Sequence, residues 1–317
     1  MTSIERITPA SRDGIEIIPV SNRGDWLSLR HRDVTATDVP ALFGKHPYKT
    51  GLQVFADKTG NGFDKGDNSA MRDGRILEPG VAVAVGEERP HWDISPAKIY
   101  VRDSVARIGA TPDFLVRCPE RGDGILEAKT ADQKVFDEQW QSGPPLAWIL
   151  QCLTQMMLMG REWGAIAVLI RTRGFPLYIY DVPRNAAVEK AIRDKVSAFW
   201  GMVERGEAPP PDFTRDGDAI SAMFPREEAG KAVDLSQDNR LPELLAERAD
   251  LSAVIKQSEA RKDEIDAEVK AKLEDAELGT LPGWKITWKS QTRKETIIPA
   301  KTIRILRVTD LREKEIA

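Results

Sequence analysis

A mixed α/β fold with an appended helical module is expected from three features of this 317-residue chain. Short apolar or β-branched runs bounded by Gly, Pro or Asp crowd its middle: Lys98 to Arg102, Phe114 to Arg117, Gly124 to Lys129, Gly164 to Arg171 and Pro176 to Asp181. Helical patterns precede, interrupt and follow these strands, which describes a central mixed sheet flanked by helices. After "RGEAPPPDFTRDGDA" the composition shifts, and Leu241 to Leu278 reads as one long charged helical stretch. Residues 1–225 are therefore expected to form the α/β domain and 226–317 a C-terminal appendage.

In chain order, Trp26, Leu29 and Arg30 form an early helical turn, and Thr37 or Asp38 is placed to cap a helix through Leu42 and Phe43. "TGLQVFADKTG" reads as a short helix ended by Gly60. "NGFDKGDNS" reads as a polar loop. "SAMRDGRILEPGVAVAVGEE" reads as a helix with Met71, Ile76, Leu77 and Val81 on its apolar side, disturbed at Pro79. Helices over about Leu146 to Met159 and Ala186 to Glu204 complete the first domain. In the appendage, Ser258 and Lys262 interrupt the stripe of Leu244, Leu251, Ile255, Ile265, Val269 and Leu273, which favours a helical hairpin or a weak coiled coil. "GWKITWKSQTRKETI" alternates as a β-hairpin does, with one face expected to pack on the preceding helices. The alternation of Trp284 and Trp288 with Lys285 and Lys289 also fits stacking on single-stranded nucleic acid.

The composition is that of an ordinary soluble globular protein, with 41% hydrophobic and 30% charged residues. No run is apolar enough to span a bilayer, and "MTSIERITPASRDG" lacks the basic and apolar regions of a secretory signal. A cytoplasmic setting with Cys118 and Cys152 reduced is expected. Three scattered histidines argue against a His-rich metal site, and a net charge of −4 does not advertise nucleic-acid binding, so any such function must come from local surface.

The chemistry concentrates in "IGATPDFLVRCPERGDGILEAKT". Glu127 and Lys129 stand at i and i+2 of a strand and share one face. Pairing of the two strands through "CPERGDG" brings Asp113 near that face. Converging carboxylates repel unless a cation lies between them, and oxygen-rich sites suit Mg²⁺ or Mn²⁺. Such an ion, with Lys129 beside it, provides for attack of water on phosphorus. By residue type alone, the same acid–x–lysine pair also fits a solvated strand face. Glu78 is placed to add a ligand from the helix before the sheet. Gln151, with Gln155 one turn on, interrupts an apolar helix and implies a polar site beneath it.

At these residues the chain resembles a known family. "IGATPDFLV…GILEAKT", "MRDGRILEP" and "WILQCLTQMMLMG" look like the phage-type alkaline exonucleases, or YqaJ-like viral recombinases. These are restriction-endonuclease-like nucleases, lambda exonuclease among them, marked by PD…(D/E)xK. The resemblance runs from about Trp26 to about Phe199. It implies a restriction-endonuclease-like core and one or two divalent ions held by Asp113, Glu127, Glu78 and the backbone carbonyl of Ala128. It makes Lys129 the catalytic lysine and Gln151 the helix glutamine supporting the site. "WLSLRHRDVTATDVPALFG" is similar to the segment that holds a terminal 5′-phosphate, with Arg30 and Thr37 at the arginine and hydroxyl positions and Thr111 at a further phosphate-contacting position.

The resemblance further implies 5′→3′ digestion of linear duplex DNA, leaving 3′ single-stranded tails. It implies a ring-shaped homotrimer, a single-strand annealing protein as partner, and a phage or prophage recombination role in a bacterial cytoplasm. Two other readings stay open: an endonuclease or bidirectional nuclease on the same core, and a non-catalytic module that binds DNA ends or a partner.

Overall fold

The computed structural model describes residues 14–62, 69–295, 300 and 302–311. Most of the polar loop expected over "NGFDKGDNS" and most of the N-terminal stretch read for a signal lie outside the described residues. The chain divides into two compact units, Met1–Phe224 and Pro225–Ala317.

The first unit begins with β1 (Ile15–Pro19), α1 (Arg23–Arg32), β2 (Val34–Thr35), α2 (Val39–Leu42), α3 (Gly51–Lys58) and α4 (Ser69–Glu88). Then come β3 (Asp93–Pro96), β4 (Ile99–Asp103), β5 (Ile108–Ala110), β6 (Phe114–Cys118) and β7 (Gly122–Ala131). α5 (Gln133–Gln139), α6 (Leu146–Met159), β8 (Trp163–Ile170), β9 (Leu177–Pro183), α7 (Ala186–Arg205) and α8 (Gly217–Met223) complete it. The larger sheet has the order β3-β6-β7-β8-β9, and a smaller one the order β1-β4-β5-β2. β7 and β8 run parallel while the other pairs of the larger sheet are antiparallel, so the expected mixed sheet is present.

β8 lies inside this sheet, between β7 and β9, because "WGAIAVLI" is apolar on both sides, and every residue of it is buried. Along β7 and β8 the side chains alternate between two cores. Ile125, Ile166, Val168 and Ile170 pack with Leu150 and Met156 of α6. Leu126, Ala165 and Ala167 pack with Val81 and Val85 of α4. Helices thus cover both faces, and the parity that sends Ile125 toward α6 sends Glu127 and Lys129 there too.

Several local expectations are corrected. α4 runs unbroken through Pro79, which stands exposed. Packing of Val81 and Val85 on the sheet outweighs the lost backbone bond. Met71 and Ile76, expected on the apolar side, are exposed, because the helix meets the sheet only through its C-terminal half. Asp38 precedes α2 but makes no capping bond, its carboxylate being used elsewhere. The short elements β1, β2, β3, β5, α5 and α8 carried too little periodicity to be read from sequence.

In the second unit, α9 (Leu241–Leu273) is one continuous helix and not a helical hairpin. Its span from Glu243 to Leu273 contains no Gly or Pro to break it and is rich in Ala, Glu, Lys and Leu. β10 (Leu278–Leu281) and β11 (Trp284–Thr287) form the hairpin, turned at Pro282-Gly283 with Gly283 at φ 82°. The expected packing of one hairpin face on the helix is limited to its base, at buried Leu273 beside Gly279. Trp284 and Trp288 remain 72% and 48% exposed.

The close packing of β7 on β8 has a direct test. A Cβ on Gly124 would collide with the buried indole of Trp163, whose Nε1 donates to the Arg121 carbonyl at 3.1 Å. Gly124→Ala should therefore lower stability by about 1–3 kcal/mol in denaturant unfolding, through overpacking. Gly86→Ala, in helix α4 with open space around it, should raise stability by roughly 0.5–1 kcal/mol.

Candidate active site

The two sheets meet at a crossover that positions the first acid. β5 lies in the smaller sheet and β6 in the larger, so Thr111-Pro112-Asp113 carries the chain between them. Proline fixes its own φ and restricts Thr111, which makes the crossing stiff. The β6–β7 ladder begins at the Phe114–Leu126 pair. Just beyond it, the Ala128 N–H donates to Asp113 Oδ2 at 2.9 Å. Asp113 is thereby tied to the strand that carries Glu127 and Lys129.

Glu127 is 1% exposed, yet both its oxygens are satisfied. Oε1 accepts from Lys129 Nζ and from Gln151 Nε2, each at 2.5 Å, and Oε2 accepts from Gln155 Nε2 at 2.6 Å. The two glutamines are one turn apart on α6, which explains why an otherwise apolar helix carries both. Lys129 Nζ also donates to Gln151 Oε1 at 3.3 Å and sits 4.5 Å from the centre of the Trp148 ring, a cation–π contact that helps hold an ammonium inside the site.

The charges respond to this crowding. Burial, with Glu127 and then Glu78 adding repulsion, pushes the Asp113 carboxyl well above the usual carboxylate range. Burial and Glu127 likewise raise Glu78 on α4. Burial alone would lower Lys129, but Glu127 and Asp113 outweigh it and keep the ammonium protonated above its ordinary value. Glu78, Asp113, Glu127 and Lys129 are therefore one electrostatic group, assembled from α4, the crossover and β7. Gln151 joins it from α6.

This donor set fits a hard divalent cation. Its carboxylates are oxygen ligands, and the raised Asp113 and Glu78 mark surplus negative charge that a cation would neutralise. As the side chains stand, Glu127 spends its oxygens on Lys129, Gln151 and Gln155. No trio of acidic, cysteine or histidine side chains among the described residues is gathered as a ready ligand cage.

A second polar cluster borders the first. Trp26 Nε1 donates to Thr111 Oγ1 at 3.0 Å, and the Arg30 guanidinium lies 4.5 Å from the Trp26 ring centre. Trp26 thus joins Arg30 to the residue two positions before Asp113. The hydroxyl that Arg30 contacts is that of Thr35, at 3.4 Å, two residues before the expected Thr37. Thr37 itself is half-buried.

Sequence reading missed what holds this corner together. Asp38 is 3% exposed and accepts from the Thr35 N–H and hydroxyl and from Lys49 Nζ. It also pairs with Lys58 Nζ at 3.2 Å. Burial opposes its charge, but Lys49, Lys58 and Arg30 outweigh burial and hold its carboxyl well below the usual range. Burial and the nearby Lys49 draw His46 down to about 4, so it is neutral at physiological pH. The lysines of "GKHPYKT" and "ADKTG" were the available signal, but nothing in their spacing showed that both point inward.

Asp38 and the half-buried Asp113 should therefore respond oppositely to neutralisation. Asp38, depressed in the fold, contributes stability above its unfolded pKa that is lost as pH falls through its folded value. Asp38→Asn should strand Lys58 and cost about 3–5 kcal/mol at neutral pH. Asp113, raised in the fold, costs stability as pH rises from its unfolded pKa through its folded one. In chelator-treated protein, Asp113→Asn should add about 0.5–2 kcal/mol at neutral pH and flatten that dependence in unfolding curves taken across pH.

The chain is similar to several known proteins. Residues 25–162 match the model of the YqaJ-like viral recombinase domain. The YqaJ protein of Bacillus subtilis (strain 168), itself uncharacterised, is 22% identical over 275 residues, covering 84% of this chain and 83% of its own. The alkaline exonuclease LHK-Exo of Laribacter hongkongensis is 21% identical, with a TM-score of 0.47 over 58% of this chain and 94% of its own. A phage-related exonuclease from Haemophilus somnus 129PT is 12% identical, with a TM-score of 0.43 over 56% of this chain and 96% of its own. The domain match spans Arg30, Glu78, Thr111, Asp113, Glu127, Lys129 and Gln151 together, so that residues 25–162 are similar to the YqaJ-like viral recombinase domain.

Proposed function

We propose that this chain is a metal-dependent deoxyribonuclease that digests linear duplex DNA 5′→3′ from 5′-phosphorylated ends, leaving 3′ single-stranded tails for phage-type recombination. The observation that carries the reading is the buried Glu127 carboxylate, clamped by Lys129, Gln151 and Gln155 beside Asp113, within a YqaJ-like domain.

Asp113, Glu127, Glu78 and the Ala128 carbonyl are the groups that would hold Mg²⁺ or Mn²⁺, as one or two ions. Such an ion supplies a more acidic bound water and neutralises charge on a phosphate. The chain's own residues do the rest. Gln151 and Gln155 fix the Glu127 carboxylate by hydrogen bonds, so its position costs no reorganisation during reaction. Lys129, held protonated, donates toward the attacking water and the developing negative charge on phosphorus. Its Trp148 neighbour excludes solvent from one side of the ammonium. Arg30, Thr37 and Thr111 form the cradle for the terminal 5′-phosphate, with Arg30 giving charge-assisted bonds. The Trp26 bridge keeps that cradle in register with Asp113.

The same reading brings a homotrimeric ring, a single-strand annealing protein as partner and a bacterial cytoplasmic setting. Among the described residues no helix is long and apolar enough to cross a membrane.

The test is Mg²⁺-dependent nucleotide release from linear duplex DNA. Lys129→Ala should reduce it by roughly 100-fold or more, as loss of a group acting on transition-state charge does. Undiminished release would remove the reading. Wild-type protein should favour 5′-phosphorylated over 5′-hydroxyl ends, and Arg30→Ala should erase that preference. Cutting of a closed circular duplex would turn the reading to an endonuclease.

A further inference from the structure

The second unit presents an apolar stripe whose charges say what covers it. In α9, Leu241, Leu244, Leu251, Ile255, Ile265 and Val269 recur at alternating intervals of three and four residues, with Arg248, Ser258 and Lys262 filling the remaining positions of the stripe. Leu244, Leu251, Ile255 and Ile265 are 42%, 55%, 57% and 45% exposed. A helix of 33 residues that exposes such a stripe gains little from burial as it stands.

We propose that α9 pairs antiparallel with α9 of a second copy of this chain, about a two-fold axis level with Ala253. The argument is charge complementarity. A parallel, in-register pair would set Arg248 on Arg248 and Lys262 on Lys262 inside the seam. The antiparallel alignment removes both conflicts. Arg248 then faces Ser258 of the second copy and Lys262 faces its Leu244, while Leu241 meets Ile265 and Leu251 meets Ile255. The flanking positions agree with the same register. Glu247 falls opposite Arg261, Arg240 falls opposite Glu268, and Val254 meets its own counterpart on the axis. Opposite charges at such flanking positions set partner and orientation in helical pairs. Arg261 now bonds Glu264 at 2.8 Å on its own helix, an exposed pair that exchanges at little cost. The contact requires nothing of the nuclease chemistry and stands or falls separately from it.

The experiment uses the full chain. Leu241→Cys combined with Ile265→Cys should give a covalent dimer under mild oxidation, because those positions meet only across the antiparallel seam. Each single variant should give none, the native Cys118 and Cys152 being buried. In sedimentation velocity of the chain without added cysteines, Glu247→Arg should weaken pairing at least tenfold and Arg261→Glu likewise. The double variant, which restores opposite charges, should recover it. Cross-linking by the single variants would indicate a parallel pair and overturn the proposal. Absence of a dimer from the paired cysteines, with circular dichroism showing the helix intact, would overturn it as well and leave another partner or the chain's own first unit as the occupant.

Discussion

The site depends on giving one enclosed carboxylate a hydrogen-bond donor at each of its oxygens. Glu127 is almost wholly enclosed, and a charge left there without partners would cost several kcal/mol. The structure meets that cost with an ammonium and two amide donors aimed at its two oxygens. Much else follows from this clamp. β7 has to run past its antiparallel partner so that Lys129 lies on the same face as Glu127, and α6 has to present two glutamines one turn apart from an otherwise apolar surface. The crossover at Pro112 has to bring Asp113 to the backbone of Ala128.

The clamp satisfies Glu127 but not the neighbourhood. Asp113 and Glu78 are left crowded, each pushed upward in pKa by burial and by other acids. Crowding of this kind, held in place by a rigid sheet and two packed helices, marks a candidate functional site. The neighbouring Asp38 cluster is the opposite case. There three cations surround one acid, and the result is a firm structural corner beneath Arg30 and α1. One corner is built for rigidity and the other carries unbalanced charge, joined through Trp26 and Thr111.

The central strands, α6, α7 and the convergence of Glu127 with Lys129 in "LEAK" were legible because each rests on local signals: continuous apolar runs, helical periodicity and residue parity along a strand. Parity alone put Glu127 and Lys129 on one face. The small sheet was not legible, since β2 and β5 are too short to show a period. Pro79 misled because propensity is local while the packing of α4 on the sheet is not. Asp38 was legible as a helix start but not as a hub, since its partners Lys49 and Lys58 meet it only through the tertiary fold. The appendage was legible as helix and hairpin, whereas the continuity of α9 follows from the absence of any breaker after Pro242.

The most direct test is the thermal response of the protein to divalent cation. Millimolar Mg²⁺ or Mn²⁺ added to chelator-treated protein should raise its unfolding temperature by neutralising Asp113, Glu127 and Glu78, and Asp113→Asn should abolish most of that rise. An unfolding temperature indifferent to both ions in the unsubstituted protein would contradict the account.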